Sequence, residues 1–161
     1  MDTVMISIRP EWCELIASRK KRIELRKTRP RIDTPFKCYI YETRGNTNTP
    51  WEDEDGHLIW KGRGAVIGEF ICTSIYKVDV PFPAYQADMD KWTRTLLADA
   101  SLTYTQAHEY LGHRSGYGWL ISDLKIYDEP KELKRFQIPT TYPARRMRQA
   151  PQSWCYAEEL T

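Results

Sequence analysis

The chain has 161 residues, 41% of them hydrophobic and 29% charged, and a formal net charge of +2. That length suits one domain with a real core, and the composition excludes an intrinsically disordered chain. No apolar run reaches the ~20 residues of a membrane-spanning helix, and MDTVMISIRP is not a secretory signal, so a cytoplasmic protein is expected.

In chain order, Val4 to Ile8 reads as a short apolar strand. Pro10 then opens a helix, at the position where its missing N–H would lack a partner anyway. Trp12, Leu15 and Ile16 give that helix an apolar stripe, and it should end near Ser18. In RIELR, Ile23 and Leu25 alternate with Arg22, Glu24 and Arg26, the pattern of a half-buried strand with its charges in a row on one face. KCYIYET, residues 37–43, is a further strand, and a polar hairpin insertion near 44–62 should turn at Asp55-Gly56. Residues 62–78 form the longest strand signal, with Gly68 as a bulge or a point of close approach. Residues 85–111 look helical: Tyr85, Met89, Trp92 and Leu96 form a stripe, and Thr103 to Gln106 is a capping box for a second helix ending at Gly112. A buried strand at 116–127, a turn with a short helical piece, and a final strand within 152–159 complete the chain. Strands with helices inserted in non-repeating order indicate an α+β fold, a small mixed β-barrel with peripheral helices, formed by residues 1–161 as one domain.

Charge is unevenly spread. Residues 19–31 hold eight Lys or Arg and one acid, Glu24, whereas the rest of the chain has 16 basic and 21 acidic residues. A basic segment on an acidic body points to an anionic partner at one face, a solvated surface strand being the alternative. The four cysteines, Cys13, Cys38, Cys72 and Cys155, form no CxxC pair, so reduced thiols are expected rather than disulfides or a zinc site.

The strand and proline-started helix of MISIRPEWCELIASRKKRIELRK, followed by VIGEF, GYGWLISDLKIYDEPKEL and APQSWCY, resemble the ASCH domain of the PUA-like superfamily. Its signature, G-x-K-x-x-E-x-R, falls on residues 19–26: Lys21, Glu24 and Arg26 match, and Arg19 stands where the signature has glycine. The resemblance implies a small PUA-like barrel with a cleft lined by these charges, and a domain that binds RNA or a nucleotide-like ligand, with no cofactor and no metal. Arg26 would grip a phosphate bidentately and Lys21 would supply a mobile charge. Glu24 would pair with Lys21 or accept from a base amino group. Arg9 and Arg22 would add phosphate contacts, and Arg145 and Arg146, with Arg148, a second basic patch. Trp154 and Tyr156 share a strand face, either to stack on a base or to pack in the core.

Two alternatives stay open. Some small ASCH-like proteins are amidohydrolases of N4-acylated cytidine with a Lys/Thr/Glu set. The lysine falls on Lys21 and the second acid on Glu69, but Glu24 occupies the threonine position, so the hydroxyl nucleophile is missing and Glu24 would have to act as a general base on water. Lysine and arginine near a scissile phosphate would also suit RNA hydrolysis. The second alternative is a protein-interaction adaptor. For Glu69 itself, the structural expectation is an ion pair with Lys21 or Arg26. His108 and His113 are five apart and do not share a helix face as in HExxH, and Asp53 to Gly56 is too short for a calcium loop.

Overall fold

The computed structural model describes residues 2–45, 50–53, 55–59, 61–80, 89–112, 114–139 and 143–161. Its centre is a sheet of six strands: β1 (Thr3–Ile8), β2 (Ile23–Arg26), β3 (Phe36–Glu42), β6 (Ala65–Val78), β7 (Gly116–Lys131) and β10 (Trp154–Tyr156), in the order β10-β1-β3-β6-β7-β2. β1 runs parallel to β3, and the other pairings are antiparallel. β8 (Phe136–Ile138), β9 (Arg145–Arg146) and β11 (Glu158–Glu159) make a small second sheet, and β4 (Trp51–Glu52) pairs with β5 (Leu58–Ile59). With helices α1 (Pro10–Ala17), α2 (Lys91–Asp99) and α3 (Tyr104–Leu111), the mixed sheet forms a half-barrel of the α+β class.

β1 and β3 are buried on both faces, which explains their near-continuous apolar sequences. Val4, Ile6 and Ile8 join Phe36, Cys38, Ile40, Phe70 and Trp119 in the main core under α1, while Met5 and Tyr39 face the small sheet with Phe136 and Met147. A separate cluster joins Ile23 and Leu25 of β2 to Leu96 and Leu97 of α2 and Ala107 and Leu111 of α3.

Several elements depart from the sequence reading. α1 buries Pro10, Cys13 and Ile16, and Trp12 is only half-buried. α2 begins after the Asp90 cap and turns Thr93, Leu96 and Leu97 inward, so Trp92 is left 48% exposed against Tyr76; Tyr85 lies outside the described residues. The expected half-buried strand forms over Ile23–Arg26 and has all four of its residues buried, because its polar face is covered as well. β7 continues through Lys131, where a turn was expected, and the short helical piece is a 3-10 turn at Leu133–Arg135. The final strand divides into β10 and β11, which belong to different sheets.

Gly68 is a point of close approach. A Cβ there would lie 2.5 Å from the Lys125 carbonyl oxygen, beside a register shift in the β6–β7 ladder. All four cysteines are free thiols, and burial pushes each one's pKa up, to about 11 for Cys72 and Cys155.

Candidate nucleotide-binding cavity

The segment that carries the charges is positioned by the end of α1. The Arg19 N–H bonds to the Ile16 carbonyl and the Lys20 N–H to the Leu15 carbonyl, each at 2.9 Å, which is a Schellman closure. Arg19 takes φ +65°, the left-handed conformation this closure requires. The reversal delivers Lys21 and β2 to the sheet edge beside β7. With Ile23 and Leu25 held against α2 and α3, the strand's alternation turns Glu24 and Arg26 to the opposite face.

There the three charges form a buried cluster: Lys21, Glu24 and Arg26 are 3%, 6% and 8% exposed. Glu24 Oε1 accepts from Arg26 Nε at 3.1 Å, and Oε2 lies 3.4 Å from Lys21 Nζ, an ionic contact with no hydrogen-bond donor to that oxygen among the described residues. Lys21 Nζ donates to the Ala100 carbonyl at 2.5 Å and stands 5.2 Å from the centre of the Trp12 ring. Burial pushes the Lys21 ammonium below the usual lysine pKa, and the Glu24 carboxylate opposes that shift. Every nitrogen of the Arg26 guanidinium is engaged: Nη2 donates to the Ser7 carbonyl at 2.6 Å and Nη1 to Ser153 Oγ at 3.3 Å. Arg26 therefore ties β2 to β1 and to the 151–153 segment, a brace rather than a free phosphate clamp.

The cluster adjoins a cavity of about 800 Å³, within the usual range for small-molecule sites. Lys21, Glu24, Arg26 and Arg9 all line it; so do Trp12, Lys27, Gln106, Tyr110 and the Pro151–Ser153 segment, to which the sequence had assigned no such role. The basic run contained Lys27, and the capping box located the helix of Gln106, but the inward face of α3 depends on how β2 packs against it. Lys27 Nζ sits 5.1 Å from the centre of the Tyr110 ring.

Other expected site residues stand apart from this wall. Glu69 accepts from the Tyr127 hydroxyl at 2.5 Å and pairs with Lys37 at 3.4 Å, not with Lys21 or Arg26, because it faces the neighbours of β3 and β7. The Arg22 side chain is exposed while its backbone bridges Asp99 and Ile121. Arg145 and Arg146 are exposed on β9 of the small sheet. Trp154 packs near Trp119 and Tyr156, and its Nε1 donates to Thr28 Oγ1 at 2.9 Å, so it supports the loop after β2. His113 lies outside the described residues. Asp53, Asp55 and His57 come together in the β4–β5 turn, where Asp53 Oδ1 accepts from the backbone N–H groups of Asp55 and His57, as in a turn-closing aspartate.

A half-barrel of this order, with α1 following β1 and the charged strand at the sheet edge, is the α+β architecture of an ASCH fold. The chain resembles in particular the crystal structure of ASCH from Zymomonas mobilis, at 23% identity and a TM-score of 0.61 over 96% of this chain and 87% of that one. A mutant form of the same protein aligns with a TM-score of 0.60 and 22% identity over 97% of this chain and 90% of that one. No family model and no curated protein matches the sequence. Among the described residues no helix is long and apolar enough to cross a membrane.

Proposed function

We propose that this chain binds RNA or a nucleotide-like ligand in the cavity beside Lys21, Glu24 and Arg26. The observation that carries this reading is the composition of one wall: four cations (Arg9, Lys21, Arg26 and Lys27) against one carboxylate, with Trp12 and Tyr110 beside them. The roles divide by exposure. Arg9 and Lys27 are exposed and meet phosphate as charged donors. The buried cluster sets a fixed polar surface for the base or ribose, and Arg26 holds it in shape. Trp12 and Tyr110 offer aromatic faces, on which a base stack is worth about 1–3 kcal/mol.

The amidohydrolase alternative draws no support from this arrangement, since Glu69 is outside the cavity wall that contains Lys21 and Glu24 stands at the threonine position. For the adaptor alternative, the exposed large apolar side chains Leu58, Trp92, Tyr110 and Ile126 belong to four different elements.

Fluorescence anisotropy with a labelled short single-stranded RNA tests the proposal. Arg9→Ala, Lys27→Ala and Trp12→Ala should each weaken binding by about tenfold, roughly 1.4 kcal/mol, with the melting temperatures of the two charge variants unchanged. Equal affinity across wild type and all three variants would refute the assignment of this cavity.

A further inference from the structure

The chain between β3 and β6 is seated on the start of α1, and two glycines make that possible. Gly62 donates its N–H to the Arg44 carbonyl at 2.9 Å; a Cβ on it would overlap the Thr43 carbonyl oxygen and stand 2.5 Å from Pro10 Cγ. Gly64, at φ +61°, lies against the Arg44 side chain, where a Cβ would come within 2.8 Å of Nε. The stem of the insertion is thus pressed onto Pro10, and the Arg44 side chain is laid along bare backbone.

The packing leaves a hollow of about 720 Å³, a size usual for small-molecule sites. Arg9, Glu11, Thr43, Arg44 and Trp51 line it; of these, Glu11, Arg44 and Trp51 take no part in the wall of the central cavity. Neither the Arg9 nor the Arg44 guanidinium has an ion pair or a hydrogen bond among the described residues. The Trp51 Nε1 is buried and also lacks a partner there, a donor that costs free energy until an acceptor meets it. The hollow therefore has two unpaired cations, an unpaired indole N–H and a hydroxyl, with one carboxylate, Glu11, beside them.

We propose that this hollow binds a sugar phosphate, its phosphate between Arg9 and Arg44, its ring against Trp51 and a hydroxyl donating to Glu11. Guanidinium forks match phosphate oxygens bidentately. A carboxylate at their side repels a bare anion but accepts from hydroxyl groups, so Glu11 favours a hydroxylated phosphate ester over inorganic phosphate. An indole supplies an apolar face for the sugar and an N–H for one of its oxygens. The site is independent of the nucleotide reading of the central cavity, and neither depends on the other.

The test follows the Trp51 indole N–H resonance, assigned through Trp51→Phe, in proton–nitrogen correlation spectra of the full chain. Glucose 6-phosphate, inorganic phosphate and glucose are the probes. Glucose 6-phosphate should shift the resonance saturably with a Kd at least about tenfold below that of inorganic phosphate, and glucose alone should not shift it. Arg44→Ala, at an exposed position, should raise the Kd for glucose 6-phosphate by about tenfold and leave the other indole resonances in place. Glu11→Ala should weaken glucose 6-phosphate and strengthen inorganic phosphate, opposite changes that a loss of folding cannot produce. The proposal is overturned if glucose 6-phosphate leaves the resonance unmoved, or if its affinity survives Arg44→Ala. Equal affinity for glucose 6-phosphate and inorganic phosphate overturns it too, because the hollow is then an anion site without a sugar subsite.

Discussion

Arg19 shows what a single backbone torsion decides. The signature's glycine falls on this position, and the structure places it at φ +65° inside the Schellman closure that turns α1 toward β2. A side chain in that region costs about 1–2 kcal/mol, partly offset in any glycine variant by the freer unfolded chain. Arg19→Gly should therefore raise the unfolding free energy in urea by up to about 1 kcal/mol; a loss would mean that the arginine side chain, not the turn, holds this corner. The charged trio was legible through its match to the signature, whereas the partners of Glu69 were not, because Lys37 and Tyr127 reach it from two other strands. Burial pushes the Glu69 carboxyl up, but the Tyr127 hydroxyl bond and the Lys37 ammonium outweigh it, and the net shift is below the ordinary 4.5. A folded pKa below the unfolded one stabilises the protein above pH 4.5, and this contribution is lost as pH falls through the folded value. The melting-temperature gap between wild type and Glu69→Gln should thus be level from neutral pH down to about 4.5 and shrink below it. A gap that widens in acid would reverse the assignment.

At the scale of elements, alternation identified β2 and told its two faces apart, yet a half-buried strand is not what formed. Ile23 and Leu25 meet α2 and α3, and the polar face is covered by the 151–153 segment, more than a hundred residues away in sequence. Period-2 patterning records which side chains share a face but not what lies over that face. The same limit applies to α2, where Leu96 of the expected stripe is buried but Thr93 and Leu97 turn inward in place of Trp92. Gly68 was readable because a lone glycine inside a long strand signal marks a bulge or a neighbouring backbone too close for a side chain. Gly68→Ala would push a methyl group into the Lys125 carbonyl and should lower the melting temperature through the β6–β7 ladder. An unchanged melting curve would show that the ladder can shift to admit it.

Across the whole molecule, the ASCH-type architecture was legible through the order of a strand, a proline-started helix and a charged strand. The position of the cavity was not, since its wall draws on β1, α1, β2, α3 and the segment before β10. That last contribution has a consequence for biosynthesis. Ser153 braces the guanidinium of Arg26, and Trp154 to Tyr156 close the outer side of β1. During translation the amino-terminal signature leaves the ribosome long before this closing segment is made. The growing polypeptide therefore carries every charge of the cluster while lacking the wall that arranges them until residues 151–156 have docked.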